Sequence, residues 1–384
     1  MSNANITKEK EFNILHLSGH IDSVNAGEVE QAVMGMDDGS PMKIDLEQLE
    51  YISSAGLRIL LRLRKKHPEI ELYNASPSVY EILDVTGFTD MMPVARAYRK
   101  ISIDNAEVIG EGANGRVYRV DPDTVVKVYL NEDSLAEIER ERTLARKALI
   151  LGIPTAISYD VVRVGDHFAS MFEMINASSF SKLLSTHPEN MDEIVPKYAD
   201  LLHIIHSTEV PDDSLPDQKA MCIRWLERIR KAMPEKSMEK LEKLLRAIPD
   251  SHNMIHGDCH AKNIMLANGE VILIDMDTIA TGDPIFEFGF MYNAYHGYSL
   301  ADPNNVHQFL GIPLETTKLL LRKVIARYYN NDDENFVTEK YEKCAVVGLI
   351  RVLRHALKTD DRKELAEKSA AELCRLIDKY DSLT

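Results

Sequence analysis

The stretch Met254-Ile-His256-Gly-Asp258-Cys-His260-Ala-Lys-Asn263-Ile-Met-Leu266, followed by Val271-Ile-Leu-Ile-Asp275-Met-Asp277, gathers oxygen-bearing side chains at spacings that suit one reaction type. A carboxylate such as Asp258 can take the proton of an attacking hydroxyl while a phosphoryl group moves to it. Such a transfer depends mainly on positioning and charge neutralisation. Asn263 and Asp275 offer the amide and carboxylate oxygens that magnesium takes, nucleotide phosphates and water supplying its other ligands. Asp275 ends the apolar run Val271–Ile274, where an idle carboxylate is costly to bury. Two other readings stand beside this one. One is a polar hairpin with acidic surface residues; the other is a zinc pair from His256 and His260, which lacks both an HExxH glutamate and a cysteine partner.

These groups need a partner that holds phosphates. Gly110-Glu-Gly112-Ala-Asn-Gly115-Arg-Val117 fits G-x-G-x-x-G-x-V, a pattern shared by dinucleotide folds and by flaps over nucleotide phosphates. A dinucleotide site requires a helix after the glycines. Here Val117–Val120, an Asp-Pro-Asp turn and Val125–Tyr129 predict a hairpin, so the glycines lie between two strands. Lys127, in the second strand, is the candidate for phosphate contact and needs a carboxylate to hold it. The helix predicted over Ser134 to Leu149 offers Glu137 and Glu141, one turn apart. A strand at Phe168–Phe172 runs into Glu173-Met-Ile175, where backbone groups of Glu173 and Ile175 would meet adenine; the Met and Phe residues there also read as core.

The elements that position these residues fall into two domains, residues 1–100 and 101–384. The second divides into an N-lobe of about 101–175 and a C-lobe of about 176–384. Arg96 to Ile103, charged and aperiodic, is the junction. In the first domain, strands at Phe12–Leu17, Met42–Leu46 and Ile70–Tyr73 alternate with helices at Ala26–Met36, Ser53–His67 and Ser78–Thr86, as in a compact α/β layer. Ser53 and Ser54 open the second helix, where a hydroxyl either caps the helix or receives a phosphate that the N-terminus favours. Helices at Thr316–Tyr328, Thr338–His355 and Arg362–Tyr380 would wall an acceptor site, and their acidic residues point to a cationic acceptor. His203 and His206, in a helix over Tyr198–His206, read as packing or helix-end groups.

Composition narrows the class. The 384 residues carry a net charge of −16, against a nucleic-acid partner. The four cysteines form no CxxC pair, so a reduced, cytoplasmic setting is expected. No apolar run reaches spanning length, and no membrane association is expected.

Two resemblances extend this reading. LSGHIDSVNAGEV, IDLEQLEYISSAGLRILL and LYNASPSVYEILDVTGF resemble, over about residues 5–98, the STAS domain of anti-sigma factor antagonists. That family carries a regulatory phosphoserine on an Asp-Ser-(Ser/Thr)-Gly-Leu turn. Alignment on Gly56-Leu57 implies Ser54 as the candidate phosphosite, with Ser53 where the aspartate usually stands, and it implies a protein partner. HGDCHAKN, IDMD and Gly282-Asp-Pro284-Ile-Phe-Glu-Phe288 are similar to aminoglycoside phosphotransferases and to choline or homoserine kinase-like proteins, over about Glu107–Tyr295.

The second resemblance implies Asp258 as the catalytic aspartate, Asn263 and Asp275 as magnesium ligands, and Asp277 as an assistant near the metal. It also implies Lys127 with Glu141 at the ATP phosphates, because Glu139-Arg-Glu141 matches the corresponding helix. Protein kinases have Arg in place of Gly257, DFG in place of Asp275-Met-Asp277, and an APE-ended loop. Their absence points to a small alcohol or amine as acceptor. The expected fold is multidomain α+β, a STAS α/β domain followed by a bilobal protein-kinase-like domain with a helical C-terminal lobe. The expected activity is ATP- and magnesium-dependent phosphotransfer to a small molecule. A signalling kinase acting on a STAS serine and a nucleotide-binding scaffold are the alternatives.

Overall fold

A computed structural model of the chain describes residues 3–8, 12–112, 115–211 and 213–384; Ala113 and Asn114 of the glycine-rich turn lie outside them. The chain divides into two compact units, Met1–Asn105 with Val161–Ala169, and Ala106–Asp160 with Ser170–Thr384. Val161–Ala169 joins the first unit through backbone pairing of Arg163 with Arg99 and Ile101 at 2.9 Å.

The first unit is an α/β layer. Strands β1 (Asn3–Lys8), β2 (Asn13–Ile21), β3 (Met42–Ile52), β4 (Glu71–Ala75) and β5 (Val94–Arg96) form one sheet in that order. β1 is antiparallel to β2, and the others run parallel. Helices α1 (Ala26–Met36), α2 (Ser54–Lys66), α3 (Pro77–Val85) and α4 (Phe88–Met91) connect them. Leu15, Ile44 and Leu72 stack across neighbouring strands and are buried. On α2, Leu57, Leu60 and Leu63 recur at helical spacing and are buried, while Arg58, Arg62 and Lys65 face solvent. β3 is longer than the predicted strand because the polar residues after Leu46 alternate with buried Leu49 and Ile52.

The second unit opens on strands β6 (Glu107–Glu111), β7 (Gly115–Asp121) and β8 (Thr124–Tyr129), followed by α5 (Leu135–Ile150); the next strands, β9 (Asp160–Val164) and β10 (His167–Glu173), divide between the units, Val161–Ala169 belonging to the first. The sheet order is β6-β7-β8-β10-β9. After the short β11 (Ser178–Ser179) the chain turns helical with α6 (Phe180–Thr186), α7 (Met191–Ser207), α8 (Gln218–Ile229) and α9 (Glu235–Arg246). The pairs β12 (Met254–Ile255) with β15 (Ala280–Thr281), and β13 (Ile264–Ala267) with β14 (Glu270–Leu273), frame the residues that opened the sequence reading. Helices α10 (Pro284–Tyr295), α11 (Asn305–Leu310), α12 (Leu314–Tyr329), α13 (Glu334–Ala356) and α14 (Lys363–Lys379) complete it.

α10 is buried along nearly its whole length, as a helix apolar on every face must be, with Glu287 and Asn293 as its buried polar residues. Asp283 caps it and Pro284 opens it. Its packing against α13 is backbone to backbone. A side chain at Gly348 would strike the Gly289 carbonyl, and one at Gly289 would come within 2.9 Å of the Cys344 carbonyl. This approach brings polar residues of both helices to the loop between β12 and β13.

Candidate active site

The loop His256–Asn263 presents Asp258, and its backbone is tied down from several sides. Gly257 has a φ of +79°, and a Cβ there would lie 2.5 Å from the Thr278 carbonyl oxygen. Glycine is therefore required where protein kinases place arginine. Glu287, fully buried on α10, accepts the N–H groups of His256 at 2.5 Å, Gly257 at 3.1 Å and Cys259 at 3.3 Å. The Tyr198 hydroxyl donates to the Cys259 carbonyl, and Ala261 N–H donates to the Tyr295 hydroxyl at 2.8 Å. Thr278 donates to the His256 carbonyl at 2.8 Å. Charge-assisted bonds to a buried carboxylate are the stronger members of this set.

Asp258 itself lies 3.4 Å from His260 Nε2 and 3.8 Å from an Arg351 guanidinium nitrogen. Burial alone would raise its pKa, but His260, Arg351 and His256 outweigh it and hold the carboxyl well below the usual range. His256 and His260 serve this loop: His256 Nδ1 accepts the Asp258 N–H at 3.3 Å, and its Nε2 lies 3.3 Å from the Ile274 carbonyl oxygen. The amide nitrogen of Asn263 donates to the Asp258 carbonyl at 3.1 Å, which leaves its carbonyl oxygen as the ligand-competent end.

Asp275, two residues beyond β14, adopts a left-handed backbone with φ of 67°, a conformation Asp tolerates better than most residues. Its Oδ1 lies 3.4 Å from Lys127 Nζ. Lys127 in turn donates to both Glu141 oxygens at 3.1 Å, and Glu141 also accepts the Tyr129 hydroxyl at 2.7 Å. Glu141 is thus the glutamate of α5 that meets Lys127. Burial would lower the Lys127 pKa, yet Asp275 and Glu141 carry it above its ordinary value. Burial, together with Asp275 and Glu141, pushes Asp277 up to about 7, so this corner holds more negative charge than Lys127 offsets. Oxygen donors, an amide and excess negative charge fit a hard divalent cation.

The remaining sequence candidates lie on the strands as follows. Gly110 is in β6, Gly112 in the turn, and Gly115 and Val117 in β7, where Val117 pairs with Lys127. Glu173 ends β10 with its side chain exposed, and Ile175 is half-buried just beyond it, its carbonyl accepting the Ala177 N–H at 2.8 Å. In the first unit, Ser53 caps α2 by accepting the Ala55 N–H at 3.2 Å, while Ser54 is exposed in its first turn. His206, buried, bonds the Tyr328 hydroxyl at 2.9 Å, and His203 stacks on the same ring.

Sequence reasoning assigned no role to Glu287, Arg351, Tyr198 or Tyr295. Glu287 had a readable signal, a lone carboxylate inside the apolar run Ile285–Tyr295. Arg351, 93 positions after Asp258, had none.

Strand sheet, lysine–glutamate pair, tethered aspartate loop and helical lobe together define a kinase-like phosphotransferase. The chain belongs to the phosphotransferase enzyme family, which it matches over residues 105–311, more than half its length, and residues 3–101 form a STAS domain. The anti-sigma factor antagonist BtrV of Bordetella bronchiseptica is 36% identical over 87 residues, 21% of this chain and 75% of that one. The anti-sigma-B factor antagonist of Listeria monocytogenes is 26% identical over 98 residues, 24% of this chain and 86% of that one. Among solved structures, an aminoglycoside 2'-phosphotransferase-IIIa variant in complex with GDP is similar at 14% identity and a TM-score of 0.50, covering 78% of this chain and 96% of its own. A thermostable mutant of aminoglycoside phosphotransferase APH(4)-Ia is similar at 13% identity and a TM-score of 0.50, covering 72% and 94%. At these identities the likeness is one of fold.

Proposed function

We propose that the chain transfers the γ-phosphoryl group of ATP to a hydroxyl or amine of a small molecule, with the STAS domain serving regulation or partner binding. The observation that carries this reading is Lys127 held between Glu141 at 3.1 Å and Asp275 at 3.4 Å, in the same unit as the tethered Asp258 loop. Lys127, steadied by Glu141, would contact the α- and β-phosphates beneath Gly110, Gly112, Gly115 and Val117, with backbone groups at Glu173 and Ile175 at the adenine. Asn263 and Asp275 would hold magnesium, which when bound neutralises charge on the phosphates. Asp258, ionised at neutral pH, orients the acceptor hydroxyl. The acceptor's hydroxyl oxygen bonds the γ-phosphorus, the bond from that phosphorus to the β-phosphate oxygen breaks, ADP leaves, and the hydroxyl proton passes to Asp258.

The test is magnesium-dependent ATP turnover by wild type and Asp258→Asn against a panel of amino alcohols, sugars, hydroxy acids and aminoglycosides. Acceptor-stimulated turnover should fall about a thousandfold in the variant. Equal turnover by both proteins would remove Asp258 from the chemistry.

One observation favours a second reading, a kinase acting on a STAS serine. Ser53 takes the cap of α2, which leaves Ser54 exposed at a helix N-terminus where phosphate is favoured. Mass spectrometry after incubation with ATP and magnesium separates the two readings. Phosphate on Ser54 that disappears in Asp258→Asn supports the second, and an unmodified protein leaves the first.

A further inference from the structure

The wall beside Asp258 carries cationic side chains that the nucleotide chemistry does not use. Arg351 of α13 donates to the Gly257 carbonyl at 2.7 Å, approaches Asp258 Oδ1 at 3.8 Å and lies over the Phe290 ring at 4.7 Å. One turn on, Arg354 lies over Trp225 at 4.2 Å, and Trp225 packs beside Phe290 at 6.2 Å. Two guanidiniums are thus mounted on adjoining aromatic rings. Arg354 donates to His355 Nε2 at 2.9 Å, which places the imidazole proton on Nδ1, facing the Tyr298 hydroxyl oxygen at 2.6 Å. Tyr298 then keeps its own O–H to donate, and burial holds its pKa above the ordinary value.

This cluster is short of negative charge. Among the described residues, Asp258 is the one carboxylate within 4.0 Å of either guanidinium, and Arg354 Nε is buried without a hydrogen-bond partner. Burial, Arg351 and Arg228 push the Arg354 pKa down, and burial with Arg351 and Arg354 pushes His355 down to about 4. Bracing the Asp258 loop accounts for Arg351 but not for Arg354. In a chain of net charge −16, Arg351 beside Asp258 and, one turn on, Arg354 with no carboxylate partner among the described residues mark a place where an anion binds.

We propose that Arg351, Arg354 and Tyr298 form the anion-recognising side of the acceptor site, and that the acceptor is a small hydroxyl compound bearing a carboxylate or phosphate. The inference rests on the phosphotransfer reading of Asp258. It reverses the cationic acceptor expected from the acidic content of the last helices. Most of those acids are paired with neighbouring cations, among them Glu342 with Lys379, Glu339 with Lys343, Glu372 with Arg375 and Glu334 with Arg322.

The experiment uses the full chain with magnesium and ATP. Glycerol, glycerate and glycerol 3-phosphate share a skeleton and differ in charge, and ethanolamine and kanamycin represent cations. Calorimetric titration of the two anions, in the presence of a non-hydrolysable ATP analogue, reads binding apart from turnover. The anionic acceptors should bind and stimulate turnover, and Arg354→Gln should raise their KM about tenfold while kcat changes little, with partial recovery in Arg354→Lys. Turnover confined to neutral or cationic acceptors overturns the proposal and leaves phosphotransfer standing. Failure of both anions to bind, or a KM indifferent to Arg354→Gln, does the same. Anion binding weakened by Arg354→Gln in a chain that turns over no ATP overturns the phosphotransfer reading and keeps the anion site.

Discussion

Glu287→Gln removes one charge and almost no volume, at a carboxylate that accepts three backbone N–H groups flanking Asp258. The remaining carbonyl oxygen of glutamine can serve part of this set, while its NH₂ faces an N–H that had an acceptor. Loss of a charge-assisted bond together with an unsatisfied buried donor is expected to cost about 3 kcal/mol. That corresponds to a fall of roughly 5–10 °C in the melting temperature of the second unit. Because these bonds aim the loop, kcat should fall about a hundredfold while KM for ATP stays near its value.

Stability against pH reads the same group. Burial would raise the Glu287 pKa, but His206, His256 and the backbone N–H groups hold it below its ordinary value. Its contribution is therefore present above the unfolded value. As pH falls below that value the unfolded chain takes the proton first, and stability drains until the folded group protonates. Glutamine has no such proton, so the acid limb of the variant should be shallower. Thermal melts at neutral and acid pH, with kcat at neutral pH, decide the matter. An unchanged melting temperature and kcat, or an acid limb identical to wild type, would refute the role of Glu287 as charged anchor of the loop.

Two further changes probe the same architecture. Glu141→Gln leaves Lys127 with Asp275 as its charged partner, and kcat/KM for ATP should fall about tenfold or more in steady-state assays; an unchanged value would detach the pair from nucleotide handling. Gly257→Ala sets a Cβ 2.5 Å from the Thr278 carbonyl at a φ of +79°, so calorimetry should record a loss of about 2–4 kcal/mol and turnover should drop with it. A variant that melts like wild type would show that this turn relaxes freely.

Much of the architecture was legible in the sequence because it is written in short-range periodicity. The alternation of strands and helices in the first unit, the hairpin after the glycines and the long C-terminal helices each follow from apolar residues recurring at 2 or 3.6 positions. Spacing also placed Asp258 and Asn263 on one loop and Asp275 at a strand end. Tertiary structure alone decided which partners these residues meet. Glu137 and Glu141 lie one turn apart and look alike in helical spacing; the Glu139-Arg-Glu141 resemblance pointed to Glu141, and the path of β8 past α5 brings that residue to Lys127. Glu287, Tyr295 and Arg351 reach the Asp258 loop because Gly289 and Gly348 let α10 and α13 touch backbone to backbone, a pairing of distant segments that no local pattern records. The sign of the wall beside Asp258 belongs to the same class. Sequence counts the charges on a helix, whereas the fold decides which face each occupies: Glu339, Glu342 and Glu372 pair with cations of the outer helices, while Arg351 reaches the Asp258 loop.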